Sequence, residues 1–243
     1  MKRILSVCAV ALLGGLSLLA PAGAADTPLS SVLKRDGYTV SVDLTFSRKN
    51  PGSLQRLDSL FDIGANGYAT GFVVGDGLVM TAYHVVSGQL SAPKKAHLGF
   101  RAKDELEVRA YVNGCRATVV RADADADLAL LRVCRSPKQT AAPAFETGPS
   151  KDERLLLIAR PNGHKSVRWG TFHGNYLLRG RQYWSAKLDG RDGYSGSPVF
   201  NERAELVGVF SGYDWANNLA VISPGTRAKE MLESYHTAPD PEP

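Results

Sequence analysis

Cysteine is scarce in this 243-residue chain, which holds only Cys8, Cys115 and Cys134. Long apolar runs are lacking except for Ile4 to Ala20, which Gly14-Gly15 interrupts. No dense Lys/Arg run occurs, although 29 basic residues against 24 acidic ones leave a formal charge of +5. So mild and scattered an excess argues against a nucleic-acid partner. Long helical patterns are few, whereas 24 glycines and 13 prolines punctuate frequent Val/Leu/Tyr/Phe alternation. An all-β chain is expected.

The one apolar run reads as part of an export signal over residues 1–24. Lys2-Arg3 supplies the charged start, and Ala22-Gly23-Ala24 suits signal peptidase. A membrane anchor fits less well, because a small-residue cleavage site follows at once. Cys8 lacks the preceding small residue of a lipidated cysteine. A periplasmic or extracellular protein with no stable membrane anchor is expected. Cleavage removes Lys2, Arg3 and Cys8 and leaves Cys115 and Cys134, which flank an Asp-rich turn nearly symmetrically. Two strands folding back there would bring both cysteines together, and an oxidising compartment would let a disulfide form. The alternative is two separate buried thiols.

Strand patterns recur along the chain. Tyr38, Val40, Val42, Leu44 and Phe46 share one face of a strand, with Thr39, Ser41, Asp43 and Thr45 on the other. Further strands are expected at 70–75, 78–82, 96–100, 106–112, 115–121 and 128–133. Residues 53–63 carry Leu54, Leu57, Leu60 and Phe61 at helical spacing. The pattern lapses over 135–150, with Pro137, Pro143 and Pro149, and reads as a crossover. Beyond it, strands are expected near 154–160, 166–173, 176–178, 182–188, 197–200, 206–211 and 219–222, then a helix over 226–235 packing through Met231 and Leu232. This organisation implies two six-stranded antiparallel β-barrels, about 38–134 and 151–223. Residues 25–235 would form one domain, with a short C-terminal helix and a loose tail at 236–243.

Three short motifs carry chemistry. Thr70-Gly71-Phe72-Val73-Val74 precedes Met80-Thr81-Ala82-Tyr83-His84; Asp127-Leu128-Ala129-Leu130-Leu131 follows; Gly193-Tyr194-Ser195-Gly196-Ser197-Pro198 completes the set. A serine hydroxyl is a weak nucleophile until a base takes its proton, and that base needs an acid to fix its tautomer. The attacked carbonyl needs donors for the charge it develops, and glycine beside the serine can aim a backbone N–H at that point. Taken singly, each motif has an ordinary explanation: a glycine-rich turn, a core histidine, a solvated hairpin tip. Together they order as His, Asp, Ser. Two rival motifs fail. Ser197 stands where a lipase-type elbow requires glycine. The Asp123/Asp125/Asp127 run imitates a calcium loop, but Leu128 and Cys134 replace its turn glycine and final glutamate. No metal or cofactor is implied.

Over roughly residues 65–233 these motifs resemble the trypsin-like (chymotrypsin-fold) serine peptidases, particularly their bacterial branch. The serine motif is similar to that of glutamyl endopeptidases, and Asn218-Leu219-Ala220-Val221-Ile222 resembles the last barrel strand. The resemblance implies His84 as general base, Asp127 as its partner, Ser195 as nucleophile, and the amides of Gly193 and Ser195 as oxyanion hole. Three departures stand out. Tyr194 occupies the place of the aspartate that pairs with a newly cut N-terminus in animal trypsins, and no Ile-Val-Gly-Gly start is present. Phe210 occupies the place of the histidine that reads glutamate. Asp189, six residues before Ser195, matches the aspartate that attracts Lys or Arg, with Arg191 nearby. Phe210-Ser211-Gly212 is the candidate edge for pairing with an extended substrate, and its alternative is a plain strand end.

The expected function is therefore a secreted serine endopeptidase acting on protein or peptide substrates as a monomer. The length is expected to leave no room for an appended peptide-binding domain. The alternatives are a catalytically silent double-barrel binding protein, in which Tyr194 distorts the oxyanion loop, and an esterase using the same triad.

Overall fold

The computed structural model describes residues 28–34, 37–50, 65–75, 77–134 and 142–237. The expected signal segment, the helical pattern at 53–63, most of the tail and the first half of the crossover lie outside these. In chain order come α1 (Pro28–Lys34), β1 (Thr39–Arg48), β2 (Ala65–Gly75), β3 (Leu78–Ala82), α2 (Tyr83–Val86) and α3 (Ala92–His97). Then β4 (Leu106–Val112), β5 (Cys115–Asp123) and β6 (Leu128–Arg132) complete the first half. The second half holds β7 (Arg154–Ala159), a 3₁₀ turn at Pro161–Gly163, β8 (Ser166–Leu178), β9 (Arg181–Lys187), β10 (Pro198–Asn201), β11 (Leu206–Asp214), β12 (Leu219–Pro224) and α4 (Gly225–Thr237).

The strands close into two six-stranded antiparallel barrels, β1-β2-β3-β6-β5-β4 and β10-β11-β12-β9-β8-β7. The expected all-β, chymotrypsin-like fold is the one observed. Side-chain alternation explains why the barrels dock. In β3, Val79 points into the first barrel while Leu78 and Met80 point out of it. In β6, Leu131 points in while Leu128 and Leu130 point out. In β7, Leu155 and Leu157 fill the second barrel while Leu156 and Ile158 leave it. The outward residues meet in a third core between the barrels, joined by Leu29 of α1 and by Ala228, Met231 and Leu232 of α4. A strand with apolar residues on both faces thus serves two cores at once. Tyr38 also sits in this shared core, its ring 6.1 Å from Phe72 and 5.5 Å from Phe200.

Three local readings differ. Residues 96–100 form no strand: α3 ends at His97, because Ser91-Ala92-Pro93 starts a helix in which proline fills an early position that needs no N–H. The two strands expected at 166–173 and 176–178 are one, β8, whose register shifts between Phe172 and Gly174. A bulge there interrupts the alternation on which the sequence reading relied. In the crossover, Phe145 bridges Leu206, and the amides of Leu206 and Glu146 bond across it at 2.7 and 2.9 Å.

Cys115 and Cys134 are disulfide-bonded, with Cα atoms 6.1 Å apart and a separation of 19 positions in sequence. The bond closes the β5–β6 hairpin at its open end. Replacing both cysteines by serine is expected to lower stability by about 3 kcal/mol, from loop-closure entropy returned to the unfolded chain. Urea unfolding of the two proteins checks this, and coincident midpoints would refute it.

Candidate active site

The β5–β6 turn uses its three aspartates differently. Asp123 Oδ1 accepts from the amides of Asp125 and Ala126, both at 2.9 Å, which ties the turn. Burial disfavours the charged form of Asp123, but the Ala126 amide and the Arg227 guanidinium outweigh it and lower its pKa. Asp125 pairs with Arg181 of β9 at 3.0 Å. Asp127, in the left-handed region at φ +54°, is aimed back at α2. Aspartate tolerates that backbone better than most residues.

At the end of β3 the chain turns into α2. The Tyr83 amide donates to the Asp127 carbonyl at 3.1 Å, and the His84 amide donates to Asp127 Oδ1 at 2.8 Å. His84 Nδ1 lies 2.8 Å from Asp127 Oδ2, and His84 Nε2 lies 2.9 Å from Ser195 Oγ. An ionised carboxylate only accepts, so the facing Nδ1 carries the proton. Nε2 is then bare and accepts the Ser195 hydroxyl. Three side chains from three segments form one hydrogen-bonded line.

The loop that presents Ser195 is held at both ends. Gly193 and Gly196 both adopt φ +83°. The Gly196 amide donates to the Phe210 carbonyl, and the Phe210 amide to the Ser197 carbonyl, each at 2.8 Å. A Cβ on Gly193 would lie 2.5 Å from the Tyr68 ring and 2.7 Å from Pro161. Among the described residues, neither the Gly193 nor the Ser195 amide has a protein acceptor. Tyr194 points the other way. It is buried in the second barrel, its hydroxyl 2.6 Å from Ser166 Oγ, its ring edge-on to Phe210 and under Arg168.

The remaining sequence-derived site residues are placed as follows. The register of β11 slips between Phe210 and Gly212, and the Ser211 hydroxyl donates to Asp127 Oδ2. A bulge is a common way to re-aim a side chain. Phe210 is core, packed with Tyr194 inside the second barrel. Gly212 faces open space. Asp189 is exposed, while Gly190 beside it is buried. A Cβ on Gly190 would meet the Phe210 ring at 2.8 Å and the Tyr213 ring at 2.7 Å. Tyr213 stacks edge-on to the exposed Trp215 at 4.6 Å. Tyr176 donates to Asp214 at the turn beyond, which holds that carboxyl at about 2.

Two contributors escaped the sequence reading. One is the Ser211 contact with Asp127, which depends on the β11 bulge. The other is Thr70, whose amide donates to the Ser195 carbonyl at 3.0 Å. Thr70 opens the histidine motif and Ser211 lies on the candidate substrate edge, but nothing in the local pattern marks these contacts.

Comparison with known proteins supplies the family. The model of the trypsin-like peptidase domain matches residues 69–209, which hold His84, Asp127 and Ser195. A glutamyl endopeptidase of Staphylococcus epidermidis is 27% identical over 163 residues, covering 63% of this chain and 57% of that protein. The chain thus spans less than two thirds of the length of the curated relatives it matches. Among solved structures, the Rv3671c protease of M. tuberculosis in its active form aligns with a TM-score of 0.61 at 17% identity, covering 99% of this chain and 97% of that one. Its inactive form aligns at 0.55 and 17%, covering 86% and 93%. At such identity the likeness is one of fold. With the domain match spanning more than half its length, the chain belongs to the trypsin-like peptidase family.

Proposed function

We propose that the protein is an exported serine endopeptidase, with Ser195 as nucleophile, His84 as general base and acid, and Asp127 as the group that holds His84. The observation that carries this is the unbroken line from Asp127 through His84 to Ser195 Oγ, at 2.8 and 2.9 Å. In the first half-reaction the Ser195 oxygen bonds to the substrate carbonyl carbon while its proton passes to His84 Nε2. The carbonyl oxygen becomes an oxyanion between the Gly193 and Ser195 amides. His84 then protonates the departing amine as the C–N bond breaks, leaving an ester on Ser195. Water repeats the sequence and frees the acid. Each oxyanion donor is worth about 100- to 1000-fold in rate.

The surroundings favour a short side chain on the acyl side of the cleaved bond. The Phe210 and Tyr213 rings lie against Gly190 and leave little room there, and the neighbouring Asp189 is exposed. Open space over Gly212 leaves room for an extended substrate beside β11. The Cys115–Cys134 disulfide suits an oxidising compartment, in keeping with the signal-like residues 1–24.

A fluorophosphonate probe tests the chemistry. The unmodified protein is expected to be labelled and Ser195→Ala not. Absence of labelling would point to a binding protein, and labelling with ester hydrolysis but no peptide cleavage to an esterase. The same preparation given a peptide library is expected to cut after small residues. Cutting chiefly after Lys or Arg would instead put Asp189 in the pocket.

A further inference from the structure

We propose that Thr70 is a positioning residue that sets the geometry of the oxyanion loop from the opposite barrel. The inference rests on the peptidase reading above. Thr70 lies in β2 and is fully buried. Each of its four polar functions is engaged. Its amide donates to the Ser195 carbonyl at 3.0 Å. Its hydroxyl donates to the Gly193 carbonyl at 2.8 Å and accepts the Arg160 amide at 2.9 Å. Its own carbonyl accepts the Thr81 hydroxyl at 2.8 Å. One residue of the first barrel therefore grips the carbonyls of the two residues whose amides would receive the oxyanion.

The grip matters because of what it restrains. Gly193, at φ +83°, has no side chain to hold that conformation, and glycine has several other regions open to it. Rotation there would swing its amide off target. A hydrogen bond to its carbonyl, reinforced by the Tyr194 amide on the Arg191 carbonyl at 3.1 Å, resists that rotation. The approach is also too close for anything but glycine two residues past Tyr194: a Cβ on Gly196 would lie 2.2 Å from the Thr70 carbonyl and from Thr81 Oγ1. Thr70 has the hydroxyl needed to donate on one side and accept on the other, and valine has the same shape with neither function.

The test compares Thr70→Val and Thr70→Ser with the unmodified enzyme on one acyl ester or peptide substrate. Thr70→Val is expected to lower kcat by about 100-fold, in the range for loss of one oxyanion donor, with KM nearly unchanged. The oxyanion geometry is needed in the transition state and hardly in the bound substrate. Thr70→Ser keeps the hydroxyl and should stay within a few-fold of the unmodified kcat. A role in folding alone would lower the melting temperature of Thr70→Val without moving the kcat of its folded fraction, and that result would overturn the proposal. Equal impairment of both variants would do the same. If Thr70→Val does not fold, Thr70→Ala removes the same hydroxyl from a smaller side chain and carries the same expectation. An unmodified protein that turned nothing over would sink the peptidase reading itself. Normal turnover in Thr70→Val would sink only the role of Thr70.

Discussion

Replacing Ser195 or His84 by alanine is expected to lower kcat by about a million-fold, each alone costing as much as both together. The non-additivity follows from the geometry. The hydroxyl and the imidazole share one proton path, Ser195 Oγ to His84 Nε2 at 2.9 Å. Without the imidazole, the serine must lose its proton to water. Without the serine, the imidazole has nothing to activate. What survives is the part of catalysis that needs neither, namely, on the proposed reading, the two oxyanion amides and the contacts to substrate, worth about 1000-fold over water. Neither change should disturb folding much, since Ser195 and His84 are only partly buried and the Asp127 hairpin is closed by its own disulfide. Steady-state kinetics on the two single variants and the double variant check this. A double variant markedly slower than either single one would mean that the two side chains act separately, and the proton path would have to be abandoned.

Much of the fold was legible because the strands are short apolar stretches, some alternating like β1 and some buried on both faces like β3, between turns that glycine and proline announce. The interval Leu78–Ala82 and the run Leu106–Val112 could be read to the residue. Legibility ended where tertiary contact outranks local pattern. Residues 92–97 carry too few apolar side chains to advertise a helix, and only the proline near its start hints at one. The bulge after Phe172 hid the length of β8, and the slip beyond Phe210 turned Ser211, expected on a substrate edge, toward Asp127. Tyr194 shows the same limit in reverse. A bulky residue inside the Ser195 loop suggested distortion, yet its ring is absorbed by the barrel, where Ser166 and Phe210 receive it. The His, Asp and Ser motifs were visible because each is a local string. The contacts of Thr70, which opens the first of those strings, were not visible, because they depend on what the other barrel brings against it.

Asp127→Asn is expected to lower kcat by about 10,000-fold while leaving the line of heavy atoms in place. Asp127 accepts three hydrogen bonds: the His84 amide on Oδ1, and His84 Nδ1 and the Ser211 hydroxyl on Oδ2. An asparagine has one oxygen and one NH₂ for these two positions, so one position must now face a donor with a donor. The backbone N–H of His84 cannot adapt. The imidazole can, by moving its proton from Nδ1 to Nε2, and the Ser211 hydroxyl can rotate to accept. The amide oxygen therefore takes the backbone N–H, and the NH₂ faces the ring. His84 is left in the wrong tautomer, with Nε2–H pointing at Ser195 Oγ and no lone pair to receive its proton. The loss should fall on kcat rather than on KM, because Asp127 is not among the residues proposed to meet the substrate. The argument needs Asp127 to act through the His84 tautomer. A loss of tenfold or less, with Asp127→Asn folded and its nucleophile still labelled by a fluorophosphonate at an undiminished rate, would show that the imidazole keeps its tautomer without a carboxylate behind it.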